Sequence, residues 1–391
     1  MPDSPGLVRR LLASLGALSF GLFLAIILLE ILLHIYNPFF ARVKGNRIVL
    51  QTNKTIHFQN KIISGLDQDI VVTRNSIGFR GPNPPADFAN ALTLFTIGGS
   101  TTQCFMVSDE KTWTALTTAA LNPSFRNLWV NNAGLDGHTT FGHRVLLSDQ
   151  ILPRHPKAVL FLVGANDVAV SAPNDYDSEN LRGEGLNFSN PKAFMKSLST
   201  YSEITALGLN FYRSFTAYQA GLLHSNIDIT TLGLQTLSED EQKLRVASSA
   251  RPELLESYRR RLLDLVDTSK RGGAQPIFIT QPTLWGSGID DVTGVDLAHV
   301  KLAVGNGETS WRILEQYNDV TRAVCAAEKV PCIDLARLLP KSRRNFYDNA
   351  HFTTEGNRNV AAIVSTSLCP LLKERFQDYS TGPCPDPKPF R

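Results

Sequence analysis

Apolar residues fall into two distinct patterns along the chain. From Leu11 to Leu29 no charged residue interrupts the sequence, and after Glu30 the apolar run resumes as Ile31-Leu32-Leu33. Extended to about Ile35, the run matches the roughly 20 residues a helix needs to cross a bilayer. A cleaved signal peptide would have a shorter apolar core and a small-x-small cleavage site, and Tyr36-Asn37-Pro38-Phe39-Phe40 offers none. The run therefore predicts an uncleaved transmembrane anchor over 11–35 behind a short tail, 1–10. Glu30 and His34 would lie one turn apart near its far end, where side chains reach the interface.

The second pattern is a series of short apolar, β-branched runs: Leu92–Ile97, 128–131, Ala158–Val163, 276–280 and 330–334. Such near-continuous runs are typical of strands buried on both faces of a parallel sheet. Helical periodicity lies between them at about 111–121, 142–151, 253–271 and 310–328, and again from Glu355 into the 360s. Strands alternating with helices predict an α/β domain over 91–375 with a mostly parallel central sheet. Residues 36–90 read as a lead-in in which Asn75-Ser76-Ile77-Gly78-Phe79-Arg80-Gly81 carries turn punctuation. The interval 171–250 has no clean strand and is expected to be a mostly helical insertion on the crevice side, because a structureless loop that long is improbable. Residues 376–391 form a C-terminal tail.

Charge names no partner: 39 basic and 36 acidic residues leave +3, and no dense Lys/Arg block suggests a nucleic-acid groove. The positive-inside rule does not orient the anchor either, since Arg9 and Arg10 on one side are balanced by Arg42, Lys44 and Arg47 on the other. Of the five cysteines, Cys325 with Cys332 and Cys369 with Cys384 read as two disulfides, hence an extracytoplasmic compartment; five reduced, buried cysteines are the alternative. Cys104 is then the odd thiol.

Candidate chemistry sits where ligands of open parallel sheets bind, beyond the carboxyl ends of the strands. Ser100 follows the first strand, Asn132 to Gly137 the second, and Gly164 to Asp167 the third. Near the end of the domain, Asp348 stands three residues before His351, a spacing that lets the carboxylate face the ring and hold it in one tautomer. A serine needs such a base to become a nucleophile. The charge that develops on the attacked oxygen needs donors, for which the Gly137 N–H and the Asn166 amide are candidates. Simpler roles are open at each position: Ser100 as a helix cap, Asn166-Asp167 as a turn, Thr353 or Thr354 as the cap of the last helix.

Gly98-Gly99-Ser100-Thr101-Thr102, Asn132-Ala133-Gly134-Leu135-Asp136-Gly137, Gly164-Ala165-Asn166-Asp167 and Asp348-Asn349-Ala350-His351 resemble, in order, the four blocks of the SGNH (GDSL-type) hydrolases. The resemblance covers about 92–370. It implies a three-layer sandwich of flavodoxin-like SGNH type, with Ser100 as nucleophile, His351 as base and Asp348 as orienting acid. The implied oxyanion hole is the Ser100 N–H, the Gly137 N–H, chosen over Gly134 from block spacing, and the Asn166 side chain. Gly99 departs from the usual Gly-Asp-Ser, a variant associated with membrane-anchored bacterial members. The absence of a Gly-x-Ser-x-Gly elbow and the closeness of acid to base speak against an α/β-hydrolase.

The expected function is a membrane-anchored serine esterase acting outside the cytoplasmic membrane on an acyl or acetyl ester of a glycan or lipid. It would need no cofactor and no metal. A polysaccharide O-acyltransferase and a non-catalytic carbohydrate-binding protein are the alternatives on the same fold. His138, His143 and His155 are expected to be surface or satisfied histidines, Cys104 buried, and Trp285 and Trp311 either crevice or core.

Overall fold

The computed structural model describes residues 5–36, 41–44, 47–61, 63–170, 185–219 and 224–386. The chain divides into two compact units, one made of residues 1–51 with 182–220, the other of 52–181 with 221–391. The middle of the expected insertion thus belongs with the N-terminal segment, and positions 171–184 and 220–223 of it lie outside the described residues.

In the first unit, helix α1 (Pro5–Ile35) contains a stretch, Arg9–Ile35, of 27 residues with mean hydropathy 2.5, long and apolar enough to cross a membrane. It is followed by the antiparallel hairpin β1 (Ala41–Lys44) and β2 (Arg47–Leu50). Helices α5 (Pro191–Leu198) and α6 (Glu203–Gln219) pack on each other, and α6 also packs on α1 and β1. Glu30 has partners that the sequence did not predict. Its carboxylate accepts hydrogen bonds from Ser202 Oγ (3.2 Å) and from the N–H groups of Glu203 and Ile204, so it caps α6. The reason is that the first N–H groups of a helix lack internal partners and favour an anion.

The second unit begins with the antiparallel ribbon β3 (Lys54–Gln59) and β4 (Asp69–Arg74). Its centre is a five-stranded parallel sheet of β5 (Leu92–Gly98), β6 (Leu128–Asn132), β7 (Ala158–Val163), β8 (Gln275–Thr280) and β11 (Cys332–Ile333). A small hairpin, β9 (Lys301–Leu302) with β10 (Gly305–Asn306), lies apart from it. The spatial order β11-β8-β7-β5-β6 is that of a flavodoxin-like sheet, whose strand order reverses between β5 and β7. Every residue of β5 and β7 is buried, which is why their sequences carry no polar alternation.

Two layers of helices cover the sheet. Leu92, Leu94, Leu160, Leu162, Ile277 and Ile279 point into one core with Trp113 and Leu121 of α3 (Trp113–Leu121) and Val360, Val364 and Leu368 of α11 (Thr354–Arg375). Alternate residues turn the other way, where Phe161 stacks on Phe278 and Phe95 meets Phe79 and Trp129 edge-on. Helices α4 (Thr140–Leu146), α8 (Pro252–Arg271) and α9 (Gly307–Glu328) pack in series. From the insertion, α7 (Glu239–Ser249) joins α9.

Some expected boundaries shift for local reasons. β11 is only two residues long because Asp334 leaves the sheet to accept from Thr280 Oγ1 (2.8 Å) and from both forks of Arg322 (2.9 Å each). Cys369 and Cys384 form a disulfide, but Cys325 and Cys332 are free, a correction to the expected pairing. The left-handed cap at Lys329 (φ 52°) returns the chain from α9 to β11, and the two thiols on either side of it are both reduced. Trp285 is buried in the core, and Trp311 carries Lys341 Nζ 3.7 Å above its ring.

Candidate active site

Ser100 opens α2 (Ser100–Gln103), a single turn that springs from the end of β5 at the point where the strand order reverses. Three side chains from other segments hold that turn. Trp113 Nε1 donates to the Thr101 carbonyl (3.0 Å), Asn132 Nδ2 to the Thr102 carbonyl (2.7 Å), and Arg80 Nη1 to the carbonyls of Gln103 (2.6 Å) and Cys104 (2.7 Å). Asn357 Oδ1 accepts from Trp113 N–H (2.8 Å), linking α11 to the same cluster. Arg80, 1% exposed, also pairs with Asp109, so the lead-in motif Asn75–Gly81 is a strut behind α2. Asn75 shapes that motif by accepting from the N–H groups of Ile77 (3.1 Å) and Phe79 (3.0 Å). Burial pushes the Cys104 thiol up to about 12, so it is a packing residue.

The second block is shaped by close approach. A Cβ on Gly134 would collide with the backbone of Gln103, whereas Gly137 has open space beside it and a positive φ of 71°. Gly134 is therefore a packing glycine and Gly137 an accessible one. In the third block, Asn166 and Asp167 have different partners. Asn166 Nδ2 donates to the His138 carbonyl (3.0 Å) and is half-buried; a Cβ on Gly99 would run into it. Asp167, 1% exposed, accepts from the Thr140 hydroxyl (2.6 Å) and N–H at the start of α4, and from Arg261 of α8 (3.4 Å). Burial raises its pKa, and the Arg261 charge and Thr140 hydrogen bonds only partly oppose that shift.

Asp348, His351 and Ser100 lie in line. Asp348 Oδ2 is 2.7 Å from His351 Nδ1, and His351 Nε2 is 2.7 Å from Ser100 Oγ. Asp348 Oδ1 also accepts from the N–H groups of Ala350 (3.0 Å) and His351 (2.8 Å). Burial works against its charge, but the His351 hydrogen bond and those N–H groups outweigh it and hold the carboxyl below the ordinary range. Thr353 nonetheless caps α11, accepting from Gly356 N–H (2.9 Å), so segment 348–353 both starts a helix and presents the pair. From the loop that follows β8, Leu284 N–H (2.9 Å) and Thr283 Oγ1 (2.6 Å) grip the Asn349 carbonyl and steady the segment.

His224 enters without warning from the sequence. Its Nδ1 lies 2.6 Å from Tyr347 Oη, and its ring centroid is 4.3 Å from that of His351, on which Tyr347 stacks from another side (5.6 Å, 11° between planes). Ligand atoms of His224, Asp348 and His351 lie within 4.8 Å of one another, close enough to hold a cation, yet both His351 nitrogens are engaged by Asp348 and Ser100. His143 is buried and its pKa is driven down to about 3, first by burial and then by His138, so it stays neutral.

The family model for the GDSL-like lipase/acylhydrolase family matches residues 96–358, which contain all four blocks and most of the second unit. The chain belongs to that family. No curated protein matches it. Among solved structures of the acylhydrolase fold, a lipase/acylhydrolase from Enterococcus faecalis is similar at 16% identity over 76% of this chain and 98% of that one (TM-score 0.39). An acetylxylan esterase from Geobacillus stearothermophilus is similar at 15% identity over 73% and 94% (TM-score 0.39).

Proposed function

We propose that this acylhydrolase-family chain is a membrane-anchored serine esterase working through a covalent acyl-enzyme. The observation that carries the reading is the unbroken hydrogen-bond chain from Asp348 through His351 to Ser100, both links at 2.7 Å. Ser100 Oγ attacks the acyl carbon and passes its proton to His351 Nε2. Asp348 holds the ring in position and balances the charge it gains. The oxyanion is met by the N–H groups of Ser100 and Gly137 and by the second hydrogen of the Asn166 amide, the first being given to His138. Collapse expels the alcohol, which takes the proton back from His351, and water then repeats the sequence on the acyl-enzyme.

Two features support the setting. The apolar stretch Arg9–Ile35 is read as the anchor, and the Cys369–Cys384 disulfide belongs to an oxidising compartment, so the second unit is assigned to the extracytoplasmic side of the cytoplasmic membrane. The substrate class is an ester-bearing glycan or lipid reachable from that surface. Ser100→Ala in the full chain should abolish turnover of a small aryl acetate and labelling by a fluorophosphonate while circular dichroism is unchanged. Retained turnover would overturn the assignment, and failure of the native chain to label would favour a carbohydrate-binding role.

A further inference from the structure

Glu30 sits five residues short of the end of α1 at Ile35, about 7.5 Å at ~1.5 Å per residue. The 27-residue apolar stretch is ~40 Å long against a hydrocarbon core of ~30 Å, which puts Glu30 close to the boundary between acyl chains and headgroups. A carboxylate at that depth needs donors nearby. It finds them at the α5–α6 corner, in Ser202 Oγ and the N–H groups of Glu203 and Ile204, and His34 one turn further on lies 3.5 Å from Glu203. These bonds tie the corner to the level of Glu30.

The surface of the corner and of α6 suits that depth. Tyr201 at the corner is 62% exposed, and Phe211, Tyr212 and Phe215 are exposed along one stripe of α6 with Gly208. That spacing of i, i+3, i+4 and i+7 is one helix face, and a face turned to water would be polar. Phe188, 75% exposed, stacks on Phe194 of α5 at 5.2 Å. Aromatic rings of this kind are favoured where an apolar body meets a polar boundary.

We propose that the α5–α6 corner and the aromatic face of α6 insert into the headgroup–acyl boundary of the bilayer that α1 crosses, so that the protein grips the membrane at two places. The partner is a phospholipid surface, and the inference rests on reading α1 as a membrane span. It is tested with the full chain in phosphatidylcholine–phosphatidylglycerol vesicles, labelled with a fluorophore at Leu18→Cys, Tyr201→Cys or Phe211→Cys. The labelled parent chain, in which Cys104 and Cys325 are buried and Cys332 is half-buried, gives the background.

Lipids carrying a nitroxide near the headgroup are expected to quench the Tyr201 and Phe211 probes more than lipids carrying it near the chain ends, and the Leu18 probe in the reverse order. A quenched Leu18 probe beside Tyr201 and Phe211 probes open to aqueous iodide overturns the proposal and leaves the span standing. Probes at Tyr201 and Phe211 shielded from both quenchers also overturn it, in favour of a protein partner such as a second copy of this chain. No lipid quenching at any of the three removes the span and the proposal with it.

Discussion

Glu30 and Asp348 are two carboxylates in the same backbone embrace. Each accepts from two consecutive N–H groups, Glu203 and Ile204 in one case and Ala350 and His351 in the other. Their uses differ because of what meets the rest of the carboxylate. Asp348 turns its second oxygen to an imidazole that in turn reaches Ser100, so its charge is coupled to a proton that can move. Glu30 meets the Ser202 hydroxyl, which does not titrate, and its charge only holds a helix start. What a carboxylate is able to do is set by its partner and not by its burial.

The comparison can be broken most sharply at Asp348. Asp348→Asn keeps the shape but frees the His351 tautomer, and kcat should fall by about 10⁴-fold with the fold retained; a loss below tenfold would make Asp348 as purely architectural as Glu30. Removing a proposed oxyanion donor in Asn166→Ala should lower kcat by about 10²–10³-fold with little change in KM, read from steady-state kinetics on the same ester.

A third probe separates burial from chemistry within the second unit. His143 is neutral at about pH 3 and above in the folded chain, whereas its ordinary pKa is 6.5, so the unfolded chain binds the extra proton between those values. Stability is therefore complete above pH 6.5 and falls on acidification toward pH 3, by up to about 1.4 kcal/mol per pH unit. His143→Phe should flatten that part of the urea-midpoint profile.

The smallest effect is expected at Glu30→Gln, which weakens the α6 cap by about 1 kcal/mol. Amide exchange at Glu203 and Ile204 should quicken while kcat stays at the parental value. A loss of activity at Glu30→Gln would tie the two carboxylates together after all.

The central strands were legible because residues buried on both faces leave no polar positions, as in Ala158–Val163. Three of the blocks were legible because each sits at a strand end, and the fourth because its acid and its base stand three residues apart. What stayed hidden has a common cause in long sequence separation. His224 touches Tyr347 across 123 residues, Glu30 caps a helix 173 residues away, and Arg80 holds carbonyls 23 and 24 residues on. None of these leaves a local period or spacing to read. The Cys325–Cys332 pairing failed differently, since seven residues of separation do not say whether two adjacent sulfurs are bonded.

By itself the sequence determined the apolar helix, the alternation of strands and helices, and the Asp-x-x-His pair, because each is written in neighbouring residues. Only the tertiary structure decided that Gly134 packs while Gly137 stays open, that Asn166 and Asp167 part company, and that residues 182–220 join the N-terminal unit. Those outcomes depend on which backbone or side chain arrives from elsewhere to fill the space. That information is carried by the packed chain as a whole.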